Sequence, residues 1–154
     1  MLAKVLSSAV YGLDAYQVDV EVDIATGLPQ FNIVGLPDLA VKESKDRVRA
    51  ALKNTGFNFP IKRITVNLAP ADIKKEGSAF DLPMAIGILV AEEVIPQSAV
   101  SPYLIVGELS LDGKIKPDKG ALSITAAARA AGIKGIMLPT ANAAEAAVVE
   151  GVQV

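Results

Sequence analysis

From Gln17 to Ile24 the side chains alternate without a break, with Val18, Val20, Val22 and Ile24 on one side and Asp19, Glu21 and Asp23 on the other. Period two over this length is the signature of a strand with one face buried and the other in water. Such a strand needs a sheet, and a sheet with one apolar face needs a layer packed over it. A covering element is legible further along: Leu82 to Ala91 runs ten residues without a charge, and its Met, Ala and Leu content and its length favour a helix. A helix apolar all round belongs inside a fold.

The remaining elements follow the same logic. The N-terminal residues before Tyr11 and Gly12 read as a first strand. Thr26-Gly27-Leu28-Pro29 supplies turn chemistry, and Phe31 to Val34 is a β-favouring run suited to return as the hairpin partner of the alternating strand. Gly35-Leu36-Pro37-Asp38 breaks the sheet, and from about Val41 to Asn54 the apolar spacing turns helical, with Val41, Val48, Ala51 and Leu52 on one face and Gly56 near the C-cap. Ile61 to Leu68 predicts a strand, Ala69 to Ser78 a loop, and Tyr103 to Val106 and Glu108 to Ile115 further strands. An alanine-rich helix from Ala121 to Ala131 stops at Gly132, Ile133 to Leu138 is a strand, and Asn142 to Val149 a last helix. Gly151 to Val154 leans apolar and suits the start of another strand, as expected of a fragment of a longer chain. At 154 residues, with 51% hydrophobic and 21% charged residues, the chain predicts one globular α/β domain spanning 1–154.

Cysteine and histidine are both absent. This excludes disulfides, thiolate nucleophiles, zinc sites of the usual kind and the Ser-His-Asp triad, and it fits a reducing, cytoplasmic setting. The longest uncharged runs, Ile24 to Pro37 and Val94 to Gly107, contain proline and fall short of the roughly 20 residues that span a bilayer. No membrane association is expected.

The nearest approach to a phosphate loop is Gly107-Glu-Leu-Ser-Leu-Asp-Gly113-Lys114-Ile115. Five residues separate its glycines where a P-loop has four, and Ile115 stands where a Ser or Thr must reach the metal, so a turn at Asp112-Gly113 is the expected structure. Asp81, ahead of Leu82 and Pro83, is expected to cap the buried helix, and Asp72 and Glu76 to be loop charges. No metal or cofactor site is expected in the fragment.

Charge is distributed unevenly. Residues 1–41 hold one lysine against five acids, residues 42–75 nine basic against three acidic, and residues 76–154 five against nine. At about 100° per residue, Lys42, Lys45, Arg49 and Lys53 fall within an arc of about 80° beside the apolar face of their helix. Lys62, Arg63, Lys74 and Lys75 extend the basic segment. A stripe of this kind neutralises phosphates, meets an acidic partner or is simply a solvated face; no aromatic residues are interleaved with it for base stacking.

Three stretches carry a more specific signal: Phe31-Asn-Ile-Val-Gly-Leu-Pro-Asp38 running into Val41-Lys-Glu-Ser-Lys-Asp-Arg-Val-Arg49, then Ile64-Thr-Val-Asn-Leu-Ala-Pro-Ala-Asp72, then Lys75-Glu-Gly-Ser-Ala-Phe-Asp-Leu-Pro-Met84. In wording and order they resemble the N-terminal domain of the ComM/YifB family of AAA+ ATPases related to magnesium chelatase. The resemblance implies an α/β (α+β) fold like the Lon proteolytic domain, of the ribosomal-protein β-α-β type, a mixed sheet packed with helices. It also implies an ATPase module elsewhere in the full-length protein, using ATP and magnesium, and assembly with sister subunits into a hexamer that acts on branched or single-stranded DNA in recombination and natural transformation.

Lon-type proteases use a serine activated by a lysine. Laying their serine segment on Lys75 to Leu82 places the nucleophile position at Ala79, and laying the later segment on Gly107 to Ile133 places the lysine position at Leu122. Neither side chain attacks a carbonyl or takes a proton, so the resemblance implies a non-catalytic accessory domain. Possible contacts to nucleic acid or a partner are Lys42, Lys45, Arg49, Lys53, Lys62 and Arg63. Two alternatives remain: a Lon-like peptidase with Ser78 and Lys119 enlisted by a shifted alignment, and a metal-insertion subunit of magnesium-chelatase type.

Overall fold

The alternating segment forms the long strand β2, Asp14–Ala25, in a computed structural model that describes residues 1–154. Its valines and Ile24 are buried, while Asp19, Glu21 and Asp23 lie on the opposite face. It pairs antiparallel with β1, Leu2–Tyr11, across a two-residue connection in which Gly12 has φ 64°, the backbone that a tight hairpin demands at its first position.

The expected hairpin between β2 and Phe31–Val34 does not form. Strand β3, Gln30–Val34, lies at the sheet edge, and β4, Arg63–Ala69, takes the place beside β2. The reason is burial: Ile64, Val66 and Leu68 extend the apolar face opposite Ile24, Val22 and Val20, whereas β3 fully buries only Phe31. A short strand with one buried side chain costs least at an edge. The chain therefore crosses over from β3 to a parallel β4 through two helices, α1 (Leu39–Lys42) and α2 (Ser44–Asn54), which split the single helix expected from Val41 to Asn54. Asp38 caps α1, accepting from the Val41 amide at 2.8 Å.

Helix α3, Asp81–Ala91, is the buried layer anticipated, with nine of its eleven residues buried. It rests on β1 and β2 so closely that a Cβ on Gly87 would stand 2.6 Å from Val22 Cγ2. This face, with α2 beside α3, holds the main core of 25 residues. A short helix not foreseen, α4 (Gln97–Val100), leads into β5 (Tyr103–Ile105). Glu108 to Ile115 is a small hairpin, β6 (Glu108–Leu109) and β7 (Ile115–Lys116), turning at Gly113 with φ 92°. Asp112 organises that turn by accepting from the Ser110 hydroxyl at 2.5 Å and the Lys114 amide at 3.0 Å.

Helix α5, Ala121–Ala130, covers the second face of the sheet, where Leu104, Val106, Ile124, Ala128 and Ile136 form a smaller core. β8, Gly135–Met137, closes the order β3-β4-β2-β1-β5-β8. The expected last helix is shorter, a 3-10 turn at Thr140–Asn142 followed by α6, Ala143–Ala146. Gln153 bridges the outer edge of β8 in parallel, so the C-terminal residues begin strand pairing as their composition suggests. No helix is long and apolar enough to cross a membrane.

Candidate functional site

The six cations expected as possible contacts to nucleic acid or a partner do not all behave alike. Lys42 from the end of α1, Lys45 from the first turn of α2 and Arg63 from the start of β4 line one groove of about 370 Å³, together with Asn32, Val34 and Thr65 of the sheet edge. Elements distant in sequence thus bring three positive charges to one concave surface. Arg49 points elsewhere: its guanidinium lies 5.3 Å over the Phe59 ring and 3.9 Å from Asp46. Lys62 pairs with Glu92 at 3.3 Å, and Lys53 is exposed in the last turn of α2 without lining the groove.

Lys75 is not part of the basic surface at all. Its side chain is fully buried, and its ammonium donates to the carbonyl oxygens of Gly35, at 2.8 Å, and Pro70. Burial holds it below the usual lysine range, opposed by the charge of Asp72. The bonds tie the loop after β3 to the loop after β4, reinforced by Lys75 N donating to Leu36 O and Asp38 N to Lys75 O, both at 2.9 Å.

Asp81 is likewise not a helix cap. Phe80 holds the cap position, and the Asp81 carboxylate is a buried hub that accepts Ser44 Oγ at 2.5 Å, Arg47 Nε at 2.6 Å and Nη2 at 3.1 Å, and the Leu109 amide at 3.1 Å. Burial pushes this carboxyl up, against the Arg47 hydrogen bond, and the same bond raises the guanidinium. Each partner donates, so the carboxylate form satisfies the site and the pair stands ionised. One signal pointed to it: Asp81 is the only charge between Gly77 and Ala91. Its partners in α2 and β6 are set by the fold.

The position laid on the Lon nucleophile, Ala79, lines a cleft of about 260 Å³ with Ser8, Glu76, Asp118 and Lys119. Ser8 Oγ donates to the Tyr16 carbonyl at 2.8 Å, and burial pushes the Asp118 carboxyl up. Leu122, in the first turn of α5, is 43% exposed and does not line the cleft. Ser78 does not line it either, and its hydroxyl makes no hydrogen bond to a lysine. The cleft therefore offers charged groups of both signs around a methyl group.

Residues 20–142 match the family described as subunit ChlI of Mg-chelatase. The chain belongs to this family. Among its relatives, it is 46% identical over 144 residues to the protein named YifB of Salmonella typhimurium, covering 94% of this chain and 28% of that one. It is 45% identical over 148 residues to competence protein ComM of Haemophilus influenzae, covering 96% and 29%. This ChlI-family chain thus spans less than a third of the length of those relatives. A more distant match, 27% identity over 151 residues to Lon protease 2 of Bacillus subtilis, covers 87% of the chain and 27% of the protease, in keeping with the Lon-like mixed sheet.

Proposed function

We propose that this ChlI-family chain is an N-terminal accessory domain, without catalysis of its own, of a cytoplasmic AAA+ ATPase of the ComM/YifB kind, and that it offers DNA a basic groove. Convergence of Lys42, Lys45 and Arg63 on one groove carries the reading. Phosphate oxygens are what such a cluster matches best, and counterion release supplies the affinity. The methyl group of Ala79 at the laid-out nucleophile position supports the non-catalytic half. In the full-length protein, ATP and magnesium belong to the motor module, the partners are that module and sister subunits of a hexamer, and the setting is recombination and natural transformation. One groove holds three cations, so binding by one copy is weak and a ring of copies multiplies it.

The test reverses Lys42, Lys45 and Arg63 to Glu in the full-length protein and measures affinity for DNA across a salt series, after confirming folding and assembly. Losing three phosphate contacts makes the slope of log affinity on log salt shallower by about 2 on single strands. An unchanged affinity and slope would show a merely solvated face. The family description favours a second reading, a metal-insertion subunit; there the same variant leaves DNA affinity untouched and lowers metal insertion instead. Casein degradation by the chain, lost on Ser78→Ala, would favour the peptidase alternative.

A further inference from the structure

The six-stranded sheet has two edges, and the chain itself covers one of them. Along the outer edge of β8, Gln153 N donates to Lys134 O at 2.9 Å and Ile136 N donates to Gln153 O at 2.8 Å. At the opposite edge β3 pairs with β4 and with no other strand. Parallel pairing turns the main-chain groups of alternate residues toward the neighbouring strand. Gln30 N donates inward to Lys62 O at 3.3 Å, so Gln30, Asn32 and Val34 bond to β4 while Phe31 and Ile33 turn their N–H and C=O groups outward. No turn, loop or cap of the main chain bonds to those outward groups.

This open edge faces the basic groove, whose lining includes Ile33 between Asn32 and Val34. Lys42 and Lys45 reach the groove from the helices and Arg63 from β4, and none of the three is held in an ion pair within the fold. Cations beside an unpaired edge ward off strands of like charge. A second copy aligned β3 to β3 would set its own three cations against these, so the edge does not suit self-pairing. An acidic strand meets the opposite situation: its backbone completes the ladder, and its carboxylates stand where the cations lack counter-ions.

We infer that the β3 edge is completed by an extended acidic segment of a partner protein, which exchanges main-chain hydrogen bonds with Phe31 and Ile33 and sets carboxylates against Lys42, Lys45 and Arg63. Main-chain bonds supply the affinity in strand addition, so the segment is selected by its extended conformation and its charge. An added strand stands about 4.8 Å beyond β3, inside the groove, and shuts phosphates out of it. That last consequence rests on the DNA reading above; the pairing itself does not.

The experiment uses the full-length protein and two short acetylated peptides, one alternating Glu with Thr and one alternating Glu with Pro. Both carry the same charge, but proline has no N–H to give and cannot continue a ladder. Saturating Glu-Thr peptide slows hydrogen–deuterium exchange over residues 30–34 by about tenfold, and the Glu-Pro peptide changes it by less than about twofold. Ile33→Pro removes one outward donor while leaving the bonds to β4 in place, and weakens Glu-Thr binding by about tenfold. Should that variant fail to fold, exchange in the unmodified protein decides alone. Exchange that does not slow, or equal binding of the two peptides, overturns the inference; the second result would leave charge attraction without pairing. Competition between the Glu-Thr peptide and an oligonucleotide then separates the two readings. Slowed exchange with DNA affinity unchanged keeps the strand pairing and takes DNA out of the groove, so it is the DNA reading that falls.

Discussion

Arg47 and Lys75 come from the same stretch of chain as Lys42, Lys45 and Arg63, but the first two point into the protein and the other three into a groove. Inward cations lose hydration and persist only where fixed acceptors replace it: two carboxylate oxygens for Arg47, two main-chain carbonyls for Lys75. Outward cations keep their water and ask nothing of the fold. A count of positive charge in the sequence therefore mixes two populations, one that builds the domain and one available to a ligand.

The sharpest test of that division is Arg47→Met, which strands the fully buried Asp81 carboxylate without its cation. The expected loss is about 3–5 kcal/mol in urea unfolding of the chain. A loss below about 1 kcal/mol would place Arg47 with the outward group.

Lys75→Met comes next, leaving the Gly35 and Pro70 carbonyls without a donor at a cost of about 1–3 kcal/mol. It also carries a pH signature. The buried ammonium titrates below its unfolded value of 10.5, so the folded state releases this proton first as pH rises. Between the depressed value and 10.5 the unfolded chain holds more protons, and the Lys75 contribution makes stability rise with pH. The neutral amine keeps two N–H groups for its two carbonyls. Lys75→Met removes that slope, as unfolding across alkaline pH would record; an unchanged slope breaks the assignment.

Lys62 is intermediate, paired with Glu92 at 3.3 Å with nearly half its side chain exposed. Lys62→Ala should cost about 0.2–1 kcal/mol and respond to salt. Lys42→Glu and Lys45→Glu should each leave stability within about 0.5 kcal/mol, because neither side chain makes an ion pair or hydrogen bond within the fold. A larger loss in thermal unfolding would move them to the inward group.

Local rules were enough wherever the determining pattern lay within a few residues. The period-two run made β2 and its buried face legible, the charge-free run made α3 legible, and Gly132 marked the end of α5, because side-chain direction and backbone permissiveness are short-range properties. The Asp112-Gly113 pair likewise marked the turn that joins β6 to β7. The sequence alone also marked the segment from Lys42 to Lys75 as strongly basic.

Tertiary structure decided what depended on neighbours far along the chain. It set β4 rather than β3 beside β2, since the choice between two apolar strands turns on how much surface each buries against the same face. It turned Asp81 from a helix cap into a partner of Arg47, 34 residues away, and took Lys75 out of the basic stripe by closing two loops around it. It replaced Arg49 with Arg63 in the groove, because helical spacing reports which side chains share a face of one helix and says nothing of what a strand beside that helix contributes. Charge and periodicity are written residue by residue, but solvent access and electrostatic partnership exist only once the chain has folded.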